Sequence, residues 1–180
     1  MKINNTFIDS LFEIELDSYN DSRGYFYEAF NAKLFHEKTG INITFVQDNV
    51  SFSRKNVLRG LHYQLENSQA KIVHVVKGKI LDVAVDLRKG SKTFGKYYSV
   101  ILSSKNKKQL FVPKNFAHGF LTLDDETYVS YKTSDFYDKK SEKTLIWNDT
   151  NINIDWGLTE LPIISDKDKE GKSIEIIELP

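Results

Sequence analysis

The sequence predicts a mainly β protein built from many short strands. Aromatic residues are abundant, with 12 Phe, 9 Tyr and 2 Trp, while only 3 of the 180 residues are proline. Aromatic side chains favour strands, and proline interrupts them. Short apolar stretches alternate with turn signals at close spacing, which is typical of a β-sandwich or a closed barrel. A chain of this length suits one domain, residues 1–180, with a sizeable core.

The first 40 residues predict a strand, a turn and a helix. The strand is expected over 7–16, and the turn over 20–24, where Asn, Asp, Ser and Gly cluster. A short extended stretch followed by a helix is expected over 25–36. The helix should end near Gly40, because glycine is common just past the end of a helix.

From residue 43 to residue 156 the pattern is mostly β. Within 47–53 the polar side chains of Gln47, Asn49, Ser51 and Ser53 share one face, since strand side chains alternate. Additional strands are expected over 97–102, 109–112, 119–122, 128–133 and 144–147. A late helical turn should begin at Ser165, whose side chain can cap it.

Residues 71–87 form the clearest predicted strand pair, with 77–79 as the turn. Alternation in the second strand separates two sets of side chains: Leu81, Val83, Val85 and Leu87 on one face, and Asp82, Ala84 and Asp86 on the other. Carboxylates on one face are normal on a solvated sheet, and they also suit the polar interior of a barrel.

The bulk composition disfavours several classes of function. Lys+Arg and Asp+Glu are equal at 25 each, so no global charge attracts nucleic acid or an anionic membrane. The chain has no cysteine, which removes disulfides and thiolate metal sites. No apolar run approaches the roughly 20 residues of a membrane span, and the start of the chain is polar. A soluble cytoplasmic protein is therefore expected.

Two histidines stand beside glycines inside apolar, strand-like runs. His62 lies in 57–64 (VLRGLHYQ), and His118 lies in 116–120 (FAHGF). A histidine in such surroundings is either a core residue with a satisfied ring or a working base, because its pKa lies near neutrality. The two segments suggest a polar pocket inside a β-structure.

Taken in order, these segments resemble the dTDP-4-dehydrorhamnose 3,5-epimerases, also called RmlC-like cupins. The resemblance runs from 21 to 168 and includes the segments 21–24, 47–53, 57–64, 69–73, 82–88, 93–95, 109–110, 116–120, 131–132 and 165–168. It implies a double-stranded β-helix, or jelly roll, with short peripheral helices. It also implies a homodimer that acts on a nucleotide-diphosphate-linked 4-keto-6-deoxyhexose and uses no metal or other cofactor.

Epimerisation next to a ketone requires three chemical roles. Protons at C3 and C5 lie beside the C4 carbonyl, so their removal gives an enolate, and inversion needs a base and an acid on opposite faces of the sugar. A third group must stabilise the charge that develops on O4. The resemblance assigns the base to His62, its orienting carboxylate to Asp168, the acid to Tyr131 and the cation near O4 to Lys71.

Each of these residues has a structural alternative. His62 and Tyr131 could be core side chains with bonded polar atoms, and Lys71 could be an exposed residue at a strand end. Asp168 could simply cap a helix together with Ser165, a role that is compatible with orienting the histidine. Tyr128 is the poorer acid because a regular strand turns it to the opposite face.

The resemblance also implies a substrate-binding shell. Its members are Arg23, Glu28, Gln47, Asn49, Arg59, His118, Tyr137, Glu142 and Lys167. Arginine suits a diphosphate because its planar fork gives paired, charge-assisted hydrogen bonds. Tyr137 is expected to stack on the nucleotide base, and His118 to donate a hydrogen bond near the sugar. Asp82 and Asp86 are expected to hold Lys71 and the histidines in place.

The sequence departs from the family pattern in its loops. Lys92 and Asp138 stand where the family often has proline, and Trp156-Gly157 replaces a tryptophan-proline pair. These changes affect contacts on the base side and leave the identity of the nucleotide open. A dTDP-linked sugar is the leading expectation, and GDP- and CDP-linked sugars are alternatives. Inversion at C3, at C5 or at both also remains open.

Three other functions are compatible with this fold. A metal-dependent cupin would pair two histidines one residue apart, but Gln64 occupies the second place here. A non-catalytic sugar-binding cupin would not need the base and the opposing acid. A sugar-nucleotide 3,4-ketoisomerase would move the carbonyl instead of inverting a centre, and NMR of the product would reveal it.

Overall fold

The computed structural model describes residues 1–180 and contains thirteen strands and two helices. The strands are β1 (Lys2–Asn5), β2 (Phe12–Glu15), β3 (Ser18–Asp21), β4 (Gly24–Tyr27), β5 (Gln47–Ser53), β6 (Leu58–Gln64), β7 (Lys71–Lys77), β8 (Lys79–Asp86), β9 (Tyr97–Ser103), β10 (Lys108–Val112), β11 (Phe116–Thr122), β12 (Thr127–Thr133) and β13 (Glu142–Thr144). The helices are α1 (Ala32–Thr39) and α2 (Asp166–Lys169). No helix has the length and apolar character needed to cross a membrane.

Two antiparallel sheets face each other. The first sheet has the strand order β1-β2-β10-β7-β12-β5, and the second has the order β13-β6-β11-β8-β9. Strands β3 and β4 form a separate two-stranded hairpin. Sequential strands β5 to β8 and β9 to β12 are shared between the two sheets, as in a double-stranded β-helix. The predicted jelly roll is therefore confirmed.

The space between the sheets is filled by alternating side chains from both. Val73 and Val129 from the first sheet pack with Ala84 and Phe120 from the second, in a cluster of 12 buried residues. Because strand side chains alternate, the neighbours of these residues face outward. The apolar interior occupies only part of the space between the sheets, and polar side chains occupy the rest.

Both sheets are also covered on their outer faces. Trp156 and Leu145 of the C-terminal segment pack on Val83 and Val85 of the second sheet, as the predicted alternation in β8 requires. Helix α1 covers one end of the first sheet through the buried ring of Phe35. This three-layer arrangement explains why so many strands are apolar on both faces.

The two helices have the ends that the sequence predicts. Asn31 caps α1 by accepting a hydrogen bond from the amide of Leu34, and Gly40 closes the helix in the left-handed conformation, with φ of 71°. Ser165 caps α2 by accepting a hydrogen bond from the amide of Asp168. The expected helix over the residues before Gly40 and the expected late helical turn are both present.

The predicted pairing within 71–87 is wrong, although both strands exist. Strand β7 pairs with β10 and β12 in the first sheet, whereas β8 pairs with β9 and β11 in the second. Gly78 is therefore a crossover between sheets, with φ of 87°, instead of a hairpin turn. A Cβ at this position would lie 2.4 Å from Oγ1 of Thr127, so the close approach also requires glycine.

Two strand boundaries also differ from the prediction. The strand expected over 7–16 is only β2, because residues 6–11 form a turn in which Thr6 donates hydrogen bonds to the carbonyls of Ile8 and Leu11. Strand β1 precedes that turn and was not predicted. The strand expected over 144–147 is shifted toward the N-terminus, as β13.

Candidate active site

A polar cavity of about 220 Å³ opens between the two sheets. Its lining residues come from β5, β6, β7, β11, β12 and the loops beside them: Gln47, Asn49, His62, Tyr63, Gln64, Ser68, Gln69, Lys71, Phe116, Tyr131, Tyr137 and Glu142. Most of these side chains are polar, and several are ionisable. The cavity thus brings together His62, Lys71 and Tyr131, three of the four residues that were predicted to be catalytic.

The fourth predicted catalytic residue, Asp168, lies behind His62. Nε2 of His62 is 2.6 Å from Oδ1 of Asp168, and the other carboxylate oxygen accepts a hydrogen bond from the amide of Gly60 at 3.1 Å. Burial would raise the pKa of Asp168, but the hydrogen bonds from His62 and Gly60 hold this pKa below its usual value. An ionised carboxylate can only accept, so Nε2 of His62 carries a proton and Nδ1 is the basic nitrogen.

Two glycines let β6 and β11 approach closely beside this pair. A Cβ on Gly60 would lie 2.7 Å from the backbone of Gly119, and a Cβ on Gly119 would lie 2.5 Å from the carbonyl oxygen of Arg59. The register between the strands shifts at this point, between His118 and Phe120. The close approach of the two backbones explains why glycine accompanies each histidine, and the amide of Gly60 donates to Asp168 beside this contact.

Tyr131 enters the cavity from the opposite sheet. It lies on β12 in the first sheet, whereas His62 lies on β6 in the second. Burial raises the pKa of the Tyr131 phenol, the nearby Arg59 lowers it in part, and Glu142 raises it again. The phenol therefore stays protonated over the neutral pH range and faces the histidine across the cavity.

Lys71 is next to Tyr131 in the first sheet. Strand β7 pairs with β12, which carries Tyr131, and both side chains line the cavity. Burial lowers the pKa of the Lys71 ammonium to about 8, although the negative charges of Asp82 and Glu142 partly oppose this change. The prediction that Lys71 contributes a cation to the pocket agrees with this placement.

His118 and Asp82 form a second, deeper pair. Nε2 of His118 is 2.8 Å from Oδ1 of Asp82, and both side chains are buried. Oδ2 of Asp82 has no hydrogen-bond partner. His118 does not line the cavity, so the expected contact with the sugar stays a prediction. Asp82 does hold a histidine, as predicted.

The prediction for Asp86 is wrong. Its carboxylate binds Arg88, Ser91 and Thr93 in the loop that follows β8, instead of Lys71 or a histidine. Burial would raise the pKa of Asp86, but these hydrogen bonds lower it to about 2. Asp86 thus orders a loop, and the next residue pointing to the same side, Arg88, supplies its counter-charge.

Part of the predicted binding shell forms the rim of the cavity. The amide side chain of Gln47 donates to Asn49 at 2.9 Å, and its oxygen accepts from the amide of Tyr137 at 3.1 Å. The hydroxyl of Tyr137 donates to Glu142 at 2.7 Å, and Lys167 forms an ion pair with the same carboxylate. These five residues therefore form one connected polar network.

Four other predicted binding residues lie outside the lining of the cavity, and one of them is Lys167, which contacts the lining through Glu142. Arg59 bonds Oγ of Ser53 and the carbonyl of Phe52, both at 3.0 Å, and lies near Tyr131. Arg23 is exposed on the β3–β4 hairpin and paired with Asp21. Glu28 is exposed after β4. Arg23 and Glu28 are on a segment that packs on the outer face of the first sheet.

Five lining residues were not predicted to belong to the site: Tyr63, Gln64, Ser68, Gln69 and Phe116. Gln64 accepts from the amide of Asp138, and Gln69 donates to the carbonyl of Asp135, so both hold the loop that carries Tyr137. The alternation of β-strands could have identified two of them, since Gln64 and Gln69 are each two residues from a predicted catalytic residue. No group of three or more His, Asp or Glu side chains is arranged as a metal site.

Comparisons with known proteins identify the family of the chain. The family model described as dTDP-4-dehydrorhamnose 3,5-epimerase matches residues 5–175. The Shigella flexneri enzyme of that name is 49% identical over 173 residues, covering 96% of this chain and 95% of its own. The Methanothermobacter thermautotrophicus enzyme is 47% identical over 171 residues, covering 94% and 92%.

The solved structures give the same result. The dTDP-6-deoxy-D-glucose-3,5-epimerase of Legionella pneumophila, in complex with dTDP-4-keto-L-rhamnose, is 48% identical and superposes with a TM-score of 0.96, covering 98% of this chain and 94% of its own. Sequence identity and backbone similarity extend over nearly the whole chain in these comparisons. The chain belongs to the dTDP-4-dehydrorhamnose 3,5-epimerase family.

Proposed function

We propose that this protein is an isomerase that epimerises a dTDP-linked 4-keto-6-deoxyhexose, converting dTDP-4-dehydro-6-deoxyglucose to dTDP-4-dehydrorhamnose. The observation that carries the proposal is the placement of His62 and Tyr131 on opposite sheets of one cavity, with Asp168 behind the histidine and Lys71 beside the tyrosine. A base and an acid on opposite faces are what inversion of a carbon centre requires.

The reaction begins with proton abstraction by His62. Neutral Nδ1 takes the proton from a carbon next to the C4 ketone, and the electron pair of the broken C–H bond moves to O4 to give an enolate. Nε2–H keeps its hydrogen bond to Asp168, so the new imidazolium lies against a carboxylate at 2.6 Å. The carboxylate orients the ring and faces the positive charge without taking the proton itself.

Lys71 stabilises the charge that develops on O4. Its ammonium lines the cavity, and burial lowers its pKa, so it lies in surroundings where a cation interacts more strongly with an oxyanion than in bulk water. With a pKa of about 8, Lys71 is mostly charged at neutral pH. The adjacent Asp82, with one unpaired carboxylate oxygen, balances this charge while no enolate is present.

Tyr131 completes the inversion. The phenol donates its proton to the face of the enolate opposite His62, the C–H bond forms there, and the carbonyl at C4 is restored. The imidazolium and the phenolate then return to their starting states by proton exchange with water. The same sequence at C3 and at C5 gives the doubly inverted product with no net change in composition.

The nucleotide end of the substrate is assigned to the rim of the cavity. Gln47 and Asn49 present amide groups to the base, and the half-exposed ring of Tyr137 stacks on it. Lys167 and Arg59 supply positive charge for the diphosphate. The relatives named above are enzymes of dTDP-linked sugars, which favours dTDP over GDP or CDP.

We also infer that the protein is a homodimer. The β3–β4 hairpin exposes the rings of Tyr19 and Phe26, at 68% and 69%, and β5 exposes Val50 at the edge of the first sheet. Exposed apolar residues on an edge strand favour pairing with a second copy. Arg23 and Glu28 would then reach the cavity of the partner instead of their own. Sedimentation equilibrium would report the mass, and a monomer at micromolar concentration would contradict this inference.

One experiment tests the activity. The protein is incubated in heavy water with dTDP-, GDP- and CDP-linked 4-keto-6-deoxy sugars, and NMR follows deuterium at C3 and C5 and the configuration of the product. We expect deuterium at both carbons and inversion with the dTDP-linked sugar. If none of the three sugars exchanged deuterium, the protein would be a non-catalytic sugar-binding cupin. A product with its carbonyl at C3 would indicate a ketoisomerase.

A further inference from the structure

At the rim of the cavity, two side chains from separate elements, Tyr137 and Lys167, contact the same carboxylate oxygen of Glu142. The hydroxyl of Tyr137, in the loop before β13, donates to Oε2 of Glu142 at 2.7 Å. The ammonium of Lys167, on α2, pairs with the same Oε2. We call these residues, Tyr137, Glu142 and Lys167, the rim clasp.

The rim clasp connects the nucleotide end of the site to its catalytic end. Lys167 directly precedes Asp168 on α2, and Asp168 is the partner of His62. Tyr137 is the ring expected to stack on the base. Glu142 is therefore the single side chain that joins the base-stacking loop to the helix that orients the histidine.

The two sides of the ion pair differ in access to solvent. The side chain of Glu142 is 13% exposed, whereas that of Lys167 is 52% exposed. Glu142 lines the cavity and Lys167 lies outside its lining, so the ammonium is the partner of the pair that is freer to move to another anion. A diphosphate carries more negative charge than one carboxylate and offers several acceptor oxygens, so it competes well for a lysine.

We propose that Lys167 exchanges partners when substrate binds, leaving Glu142 for the diphosphate, and that Glu142 is a positioning residue that holds Tyr137 and α2 together. The proposal rests on the proposed function, because it takes the ligand to be a nucleotide diphosphate. The clasp links Tyr137 to α2, and the ligand would replace one of its two contacts, the ion pair of Lys167 with Glu142.

The exchange also changes the charge balance of the cavity. Glu142 is close enough to His62 and Lys71 to interact with both charges. Once Lys167 has turned to the diphosphate, the carboxylate of Glu142 lacks its own counter-ion. Its negative charge then faces the imidazolium and the ammonium that are present during enolisation. Binding of the nucleotide end thereby assists the chemistry at the sugar end.

Calorimetric binding of dTDP, which lacks the sugar and cannot react, tests the exchange. The proteins are the unaltered chain, Glu142→Gln, Lys167→Met and the double variant. Lys169→Met removes a charge from the same helix away from Glu142, where Lys169 pairs with Asp166, and is the matched control. Because Gln cannot hold Lys167 as an ion pair, Glu142→Gln should tighten binding roughly two- to fivefold, the size expected of a partly exposed pair.

The two backgrounds distinguish exchange from simple charge removal. In the Lys167→Met background Glu142→Gln should leave the affinity unchanged, because no lysine remains to be released. Equal effects of Glu142→Gln in both backgrounds, or weaker binding on Glu142→Gln alone, would overturn the exchange and leave the epimerase proposal standing. Failure of the unaltered protein to bind dTDP would overturn both.

Turnover provides the second readout. At saturating dTDP-linked 4-keto sugar, Glu142→Gln should lower the rate of deuterium exchange roughly tenfold or more, as expected for lost positioning, while its affinity for dTDP rises. If Glu142 only maintained the fold, Glu142→Gln would lower both the exchange rate and the affinity for dTDP. An exchange rate equal to that of the unaltered protein would remove Glu142 from the positioning role.

Discussion

His62 and His118 lie directly opposite one another on adjacent strands, and each ring is held by its own carboxylate. Asp168 binds His62 at 2.6 Å, and Asp82 binds His118 at 2.8 Å. The side chain of His62 is 29% exposed, whereas that of His118 is 7% exposed. Two similar pairs therefore differ in access to the cavity, and His62 is the histidine whose ring a bound sugar can reach.

Replacing His62 should stop enolisation. We expect His62→Asn to lower deuterium incorporation at both C3 and C5 by roughly 10³-fold, the size of a general-base contribution. NMR in heavy water measures the loss, and circular dichroism verifies the fold. His36→Asn on the exposed side of α1 is the matched control and should exchange normally. Near-normal exchange by a folded His62→Asn protein would show that another group is the base.

Replacing Tyr131 should separate exchange from inversion. In Tyr131→Phe the base and Lys71 remain, so we expect deuterium exchange to continue while the yield of inverted product falls by roughly 10²-fold or more. Tyr128→Phe on the same strand is the control, since Tyr128 packs on Phe52 on the outer face. Full conversion by Tyr131→Phe would rule out the assigned acid.

The charge of Lys71 should set the alkaline limit of activity. Its pKa is lowered to about 8, so raising the pH through that value removes the proton and with it the stabilisation of O4. We expect the exchange rate at saturation to fall above about pH 8. In Lys71→Arg the fall should move to higher pH, because a guanidinium stays charged up to about pH 12. If the rate of Lys71→Arg fell at the same pH as that of the unaltered protein, a group other than Lys71 would cause the fall.

Ionised Asp168 should stabilise the folded protein, and this stabilisation should be lost in acid. Its pKa is below the usual value in the folded state, so its ionised form stabilises the fold above the unfolded pKa of about 4, and this contribution disappears as the pH falls through the folded value. We expect Asp168→Asn to be less stable than the unaltered protein at pH 7, with the difference shrinking below about pH 4. Urea unfolding at several pH values measures it, and a gap independent of pH would contradict the linkage.

The close approach of β6 and β11 should make Gly119 intolerant of substitution. A Cβ there meets backbone at 2.5 Å, so we expect Gly119→Ala to cost about 1–3 kcal/mol in the free energy of unfolding, as overpacking does. Gly157→Ala is the control, because it has open space and only a left-handed φ of 64°, which costs about 1 kcal/mol. Equal losses of unfolding free energy in the two variants would show that the close contact between β6 and β11 does not cause the destabilisation.

Periodicity in the sequence predicted the faces of the strands better than their partners. The alternation in β8 and β5 correctly separated outward apolar residues from cavity residues such as Gln47 and Asn49. The strands on either side of Gly78 look like a hairpin because local pattern carries no information about which sheet each strand joins. That choice depends on contacts with β10, β11 and β12, which are distant in sequence.

The site was predicted through resemblance more than through pattern. In the sequence pattern, Lys71 and Tyr131 look like ordinary strand residues. Only the fold shows that β7 and β12 are neighbours in the sheet opposite β6. The error for Asp86 has a local cause. Arg88 is only two residues later in the chain, and its guanidinium donates to the Asp86 carboxylate. Arg23 and Glu28 lie outside the cavity of their own chain, so their binding roles stay a prediction that depends on the proposed homodimer.

Because Tyr131 stands on one sheet and His62 on the other, the distance between the sheets sets the span that a sugar ring would have to fit in the proposed reaction. That distance is maintained by interior side chains that do not line the cavity: Val73, Val129, Ala84 and Phe120. Enlarging or shrinking any of these side chains would change how well both reactive groups reach the same carbon. Stereochemical outcome in this protein is thus a property of interior packing as well as of the ionisable residues themselves.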